Sequence, residues 1–232
     1  MIERRSAAPY FQRHWLLRFK TVMTGSVAQA YSERLENALD VGLLQRKIEK
    51  SGIDLRGKIV LDLAAGPGAW SVALSLEGTA QVVWVDLCPL MLGFSLNLCR
   101  RRRAKVNHVR GAMEAIPLAG ESVDVVVCQD AIYHARKENV VCAEAARVLR
   151  AGGSFWLTIR TAGRLLTEQR PLWRKVLLWL SPPLALLVGR KLLPTPFSLT
   201  AATRRNLETA GFRVRWQRRL GDSTEEFLAV KL

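Results

Sequence analysis

Five short runs rich in β-branched and apolar residues punctuate the middle of this chain, and most of the stretches between them carry apolar residues at helical spacing. The runs predict strands at 58–63, 81–85, 106–110, 123–128 and 154–159. Strands that alternate with helices build a parallel sheet covered on both faces, because each strand must be reached by a crossover long enough to hold a helix. Such strands are apolar on both sides, and "VVVC" within the fourth run, at 125–128, has that character.

Flanking segments extend the pattern. Leu35, Leu39, Leu43, Leu44 and Ile48 recur at helical spacing, predicting a helix over 33–50 that stops near Gly52. A helix over 138–149 is predicted to end at Gly152-Gly153. Beyond Arg160 the rhythm breaks for some forty residues, too long for an ordinary connection, so residues 161–198 are expected to carry helices of their own and to act as a lid. A helix from about Thr200 to Gly211 follows, then an alternating strand with Phe212, Val214 and Trp216 on one side, and "EEFLAVKL" as a terminal strand.

With 232 residues, 49% of them apolar, the chain is long enough for one sizeable core. The formal charge of +15 suits an anionic partner: nucleic acid, an acidic membrane surface or an acidic small molecule. Cys88, Cys99, Cys128 and Cys142 lack metal-ligand spacing and lie in apolar surroundings, as expected for reduced thiols in a cytoplasmic protein, and no metal site is indicated. The N-terminal stretch has no uninterrupted apolar region of the kind a secretory signal needs. The apolar patch from Val176 to Val188 is cut by Ser181-Pro182-Pro183 and falls short of a membrane span. Its Leu and Trp residues, flanked by Arg170, Arg174, Lys175, Arg190 and Lys191, have the composition of a segment that contacts an anionic membrane from one side.

The stretch "VLDLAAGPGAW" places Gly66 and Gly68 between the first strand and a helix, and Asp86 closes the second strand twenty residues after Gly66. A glycine turn lets a backbone approach a ligand, and a carboxylate at the second strand end accepts hydrogen bonds from ribose hydroxyls. A dinucleotide turn has a third glycine where this chain has Ser71. Taken singly, Asp62 and Asp86 also suit capping of the turn and helix that follow them.

Four blocks occur in order: "LDLAAGPG", "VVWVDLCPLML", "RGAMEAIPLAGESVDVVVCQDAIYH" and "AARVLRAGGSFWLTI". Their order and spacing resemble the class I S-adenosylmethionine-dependent methyltransferases, in particular the small-molecule, methyltransferase type 11-like branch. The resemblance implies an α/β fold with a doubly wound, mostly parallel seven-stranded sheet, Rossmann-like, with a helical lid insertion. It divides the single domain into an N-terminal helical cap (1–52), a cofactor-binding core (53–160), the apolar and basic lid (161–198) and a C-terminal helix with strands (199–232).

The same resemblance implies S-adenosyl-L-methionine as cofactor. Asp62 would organise the loop that receives its methionine end, Ala64, Gly66 and Gly68 would pass beneath it, and Asp86 with Leu87 would hold the ribose. Ala112 and Met113 stand where the family has Gly-Asp at the adenine, so an acidic acceptor is missing there, and Met113 is left to pack on the ring. Gln129 would line the methionine side, and Tyr31 matches a tyrosine that folds over the cofactor. Tyr133 and His134, after the fourth strand, would face the acceptor, His134 as the candidate base.

These features predict methyl transfer to a small, apolar or membrane-derived acceptor, in the cytoplasm or at a membrane surface. An RNA methyltransferase is the nearest rival, favoured by charge and disfavoured because the block after the fourth strand lacks the Asn/Asp-Pro-Pro-aromatic pattern of amino-group methylation. A nicotinamide oxidoreductase and a non-catalytic cofactor-binding module are further alternatives.

Overall fold

The computed structural model describes residues 41–161, 198–221 and 223–232. Tyr31, most of the N-terminal cap and nearly all of the expected lid lie outside the described residues.

The described elements run α1 (Val41–Ser51), β1 (Ile59–Leu63), α2 (Ala69–Ser75), β2 (Gln81–Asp86), α3 (Pro89–Arg102), β3 (Asn107–Arg110), β4 (Val123–Cys128), a 3-10 turn (Ile132–His134), α4 (Glu138–Val148), β5 (Leu149–Arg160), α5 (Thr200–Thr209), β6 (Phe212–Arg219) and β7 (Thr224–Lys231). The strands form one seven-stranded sheet in the order β3-β2-β1-β4-β5-β7-β6. Strands β1 to β5 pair in parallel, and β7 runs antiparallel to both β5 and β6. Because β2 and β4 flank β1 while the chain goes β1 to β2 first, the winding direction reverses between β1 and β4. That switch point opens a crevice at the carboxyl ends of the strands, where ligands of open α/β sheets sit.

Burial on both faces follows from the two-residue period of a strand. Leu61, Leu63, Val83, Val85, Val126, Phe155 and Leu157 join one apolar cluster. Val60, Val82, Val125, Val127, Trp156 and Leu228 join another, on the opposite face with Ala73 and Leu74 of α2 and Ile48 of α1. Within that second layer Glu226 is buried beside Trp156, whose Nε1 donates to Glu226 Oε1 at 2.7 Å, and the Arg218 guanidinium pairs with the other oxygen. All four cysteines are buried as free thiols.

One expected boundary is corrected. Gly152-Gly153 does not stop a helix: α4 ends at Val148 and β5 begins at Leu149. The glycines instead form an irregularity inside β5, where β4 advances from Val123 to Val125 while β5 advances from Leu149 to Ser154. A Cβ on Gly153 would fall 2.8 Å from the Arg150 carbonyl oxygen and 2.9 Å from that of Asp124, so the two strands meet there only without a side chain. The arginine run at 100–103 closes α3, with Arg103 in the left-handed conformation as its cap.

Candidate active site

At the carboxyl end of β1 the chain turns into α2 through Ala64 to Gly68. Ala64, Gly66 and Gly68 all have positive φ, at 56°, 54° and 86°. That conformation costs an L-residue such as Ala64 about 1–2 kcal/mol.

The two glycines serve different ends. A Cβ on Gly68 would lie 2.2 Å from Ser95 Oγ of α3, so Gly68 lets that helix pack under the turn. A Cβ on Gly66 would meet nothing within 4 Å, so Gly66 borders open space. Ser95 is buried and pairs with His108 Nε2 at 2.9 Å, which ties α3 to β3 beneath the loop.

Strand β2 grips the turn from the side. Trp84 and Asp86, two residues apart, share a face. Trp84 Nε1 donates to the Gly66 carbonyl at 2.9 Å, and the Gly66 N–H donates to Asp86 Oδ2 at 2.8 Å. The other carboxylate oxygen accepts from the Cys88 N–H at 2.8 Å. Asp86 is thereby held in one orientation, with acceptor capacity left for a ligand hydroxyl. Burial pushes its carboxyl above the usual range, opposed by the N–H donors of Cys88, Gly66 and Leu87. Leu87 is half-buried beside it, and its carbonyl accepts from Arg110 Nε at 3.2 Å.

Asp62 is buried one layer down and faces Ser71 of α2, whose hydroxyl donates to Oδ2 at 2.5 Å. Burial raises its pKa from 3.8 to about 7; Ser71 opposes the shift and the nearby Asp86 adds to it. The residue at the dinucleotide fingerprint's third glycine position therefore has a task of its own here, which is to hold that carboxyl.

The segment that the resemblance assigns to adenine follows β3. Ala112 is buried and bridges to Ala115, while Met113 is half-buried against the core. Helix α4 clamps this segment through two residues that sequence reasoning missed. Arg147 donates to the Leu118 and Ile116 carbonyls, each at 2.8 Å, and Glu144 Oε2 accepts from the Ile116 N–H at 2.8 Å. Their mutual ion pair, 2.7 Å long, keeps both in place.

Beyond β4, Gln129 is half-buried and its Nε2 is buried without a hydrogen-bond partner among the described residues. Asp130 next to it has φ 52°, and its N–H donates to Thr158 Oγ1 at 2.6 Å. Tyr133 is buried, with the Arg160 guanidinium 4.7 Å from its ring centroid. His134 is exposed, its ring 4.6 Å from that of Tyr133. The protein around its imidazole, and then Arg160, push its pKa below the ordinary histidine value, with Asp130 opposing. His134 therefore carries a free nitrogen lone pair at neutral pH.

The site suits an adenosyl amino acid on two structural grounds. A buried amide donor without a partner is costly unless a ligand accepts from it, and a carboxylate of the ligand's amino-acid end answers Gln129 Nε2. The open space over Gly66, beside a carboxylate already oriented, answers a ribose. Asp62, Ala64, Gly66, Gly68, Asp86 and Leu87 gather at the β1 and β2 tips, Ala112 and Met113 after β3, and Gln129, Tyr133 and His134 after β4.

Comparison with known proteins bears on the fold and the family. Residues 61–157 match the family described as Methyltransferase domain. The chain is 35% identical over 144 residues to the malonyl-[acyl-carrier protein] O-methyltransferase of Methylococcus capsulatus, covering 59% of this chain and 51% of that protein. It is 24% identical over 106 residues to the ubiquinone biosynthesis O-methyltransferase of Coxiella burnetii, covering 46% and 45%. The chain thus spans about half the length of these curated relatives. Among solved structures, the PH0226 protein of Pyrococcus horikoshii shares the fold with a TM-score of 0.65 at 19% identity, over 95% of this chain and 99% of that one. Sheet order, glycine turn and the matched segment agree: residues 61–157 match the methyltransferase domain, on the fold of the class I S-adenosylmethionine-dependent methyltransferases.

Proposed function

We propose that this protein transfers a methyl group to an oxygen of a small, apolar acceptor. The observation that carries the reading is the Asp86 carboxylate, fixed by the Gly66 and Cys88 N–H groups beside the open space over Gly66. In this reading Asp86 and Leu87 hold the ribose, Asp62 through Ser71 fixes the loop, Ala112 and Met113 border the adenine, and Gln129 Nε2 binds the methionine carboxylate. The cofactor supplies a methyl group on a sulfonium, an already activated donor. What remains for the protein is alignment, which by itself supplies much of the acceleration in such displacements.

In this reading the acceptor side lies beyond Gln129, toward β5, because the proposed ribose and adenine residues are at the tips of β1, β2 and β3. His134 is the candidate base for an acceptor that must lose a proton, and its lowered pKa keeps it unprotonated at neutral pH. Tyr133, buried beneath Arg160, forms the wall of that side rather than a reacting group. Both relatives are named as O-methyltransferases, one acting on a malonyl carrier and one in ubiquinone biosynthesis, which favours an oxygen nucleophile. No helix among the described residues is long and apolar enough to cross a membrane. Contact with an anionic membrane through residues 161–198 is proposed from their composition alone.

Calorimetric titration with S-adenosylhomocysteine tests the cofactor assignment. Wild type is expected to bind, and Asp86→Ala to bind at least a hundredfold more weakly, since two hydrogen bonds to a charged acceptor are worth about 1.5–3 kcal/mol each. Equal affinity in the two proteins would refute the ribose assignment.

A further inference from the structure

Arg160 closes β5, the strand next to β4, and so stands at the carboxyl edge of the sheet on the side the acceptor approaches. Its backbone carbonyl accepts from the Ser198 N–H at 2.8 Å, and its guanidinium packs over the buried Tyr133 ring, so the side chain is placed rather than trailing in solvent. The Tyr133 ring in turn packs tilted against that of His134, which feels the Arg160 charge. The residue itself is only half-exposed.

What the guanidinium lacks, among the described residues, is a hydrogen-bond acceptor or a carboxylate within ion-pair distance. The acidic residues nearby are otherwise engaged. Glu138 accepts from the Ser198 and Thr203 hydroxyls at 2.6 and 3.2 Å. Glu225, opposite Ile159, accepts from Gln217, and Glu226 is held by Trp156 and Arg218. Asp130 influences His134 but forms no ion pair with Arg160. An arginine presents a planar fork of donors whose geometry matches a carboxylate or phosphate, and a half-buried fork left without an acceptor favours binding of an anion.

We propose that Arg160 binds an anionic group of the acceptor, a carboxylate on an apolar body. The assignment rests on the methyl-transfer reading and narrows its substrate class from any apolar molecule to an acid. A carboxylate is already a nucleophile at neutral pH, so such an acceptor has no proton for the enzyme to remove. That fits a site whose tyrosine is buried under the arginine and whose histidine is exposed at the rim.

Calorimetry on the full chain with saturating S-adenosylhomocysteine tests this, using octanoate, octyl phosphate and octan-1-ol as probes. Wild type is expected to bind octanoate well above octan-1-ol. Arg160→Met should weaken octanoate ten- to a hundredfold, the usual worth of a charge-assisted bond, while leaving the affinity for S-adenosylhomocysteine unchanged. Arg160→Lys keeps the charge without the fork and should fall between, and it guards against a folding defect in the Met variant. If octyl phosphate shows the same or stronger Arg160 dependence, the anion site stands with a phosphate as its source. If wild type takes up S-adenosylhomocysteine but binds neither anion better than the alcohol, or if both variants bind octanoate like wild type, Arg160 has no such role and the methyl-transfer reading is untouched. Failure of wild type to bind S-adenosylhomocysteine would instead remove the reading on which this assignment rests, and the assignment with it.

Discussion

Replacing each glycine of the β1–α2 turn by alanine separates two roles that look alike in sequence. Both positions have positive φ, 54° at Gly66 and 86° at Gly68, so alanine costs about 1–2 kcal/mol of backbone strain at either. At Gly68 the new methyl would also sit 2.2 Å from Ser95 Oγ and 2.9 Å from Ser95 Cβ, and overpacking of this kind adds about 1–3 kcal/mol. Gly68→Ala should therefore lose about 2–5 kcal/mol in total, and Gly66→Ala only the first part. For a chain of this size each kcal/mol lowers Tm by about 2–4 °C, so thermal unfolding resolves the two. Ligand binding should rank them in reverse: Gly66→Ala fills the open space beside Asp86 and should weaken S-adenosylhomocysteine at least tenfold, although it unfolds later. A double-mutant cycle pins the cause. Ser95→Gly alone destabilises, by about 1 kcal/mol for glycine within a helix and about 1 for the lost His108 bond, yet in the Gly68→Ala background it should recover part of the loss. Purely additive effects, or a Gly68→Ala protein as stable as Gly66→Ala, would refute the packing argument.

Two further outcomes are open to measurement. The raised pKa of Asp62 means that the folded protein holds a proton the unfolded chain releases, so stability falls as pH rises from about 4 to about 7, by up to about 1.4 kcal/mol per unit. Asp62→Asn should flatten the urea-midpoint profile across that window, leaving the slope of the same sign contributed by Asp86 and the opposite slopes of His108 and His134, whose pKa values are lowered; an unchanged profile would contradict the assignment. For the membrane proposal, the full chain should sediment with phosphatidylglycerol vesicles but not with neutral ones, and charge reversal at Arg174 and Lys175 should reduce it; indifference to lipid charge would end that idea.

Much of the scaffold was legible in local pattern. The expected strands at 123–128 and 81–85 coincide with β4 and with all but the last residue of β2, because strands buried on both faces must be apolar throughout. Gly152-Gly153 misled because a glycine pair after a helical period stops a helix as readily as it permits a strand irregularity. The choice fell to Asp124 and Arg150, whose carbonyls crowd that point. Trp84 was open to detection, since it stands two residues before Asp86 on a strand and must share its face. Glu144 and Arg147 were not, because their partners are backbone atoms some thirty positions away.

The order of the motifs and the two-residue and helical periods, read from the chain alone, determined the methyltransferase resemblance and the doubly wound sheet, because both depend on neighbours in sequence. Only the tertiary structure decided which glycine faces a helix and which faces open space. It also decided that Gln129 Nε2 and the Arg160 guanidinium are left without a hydrogen-bond partner among the described residues. Whether a polar group is satisfied depends on every other group that folding brings near it, and no local pattern encodes that.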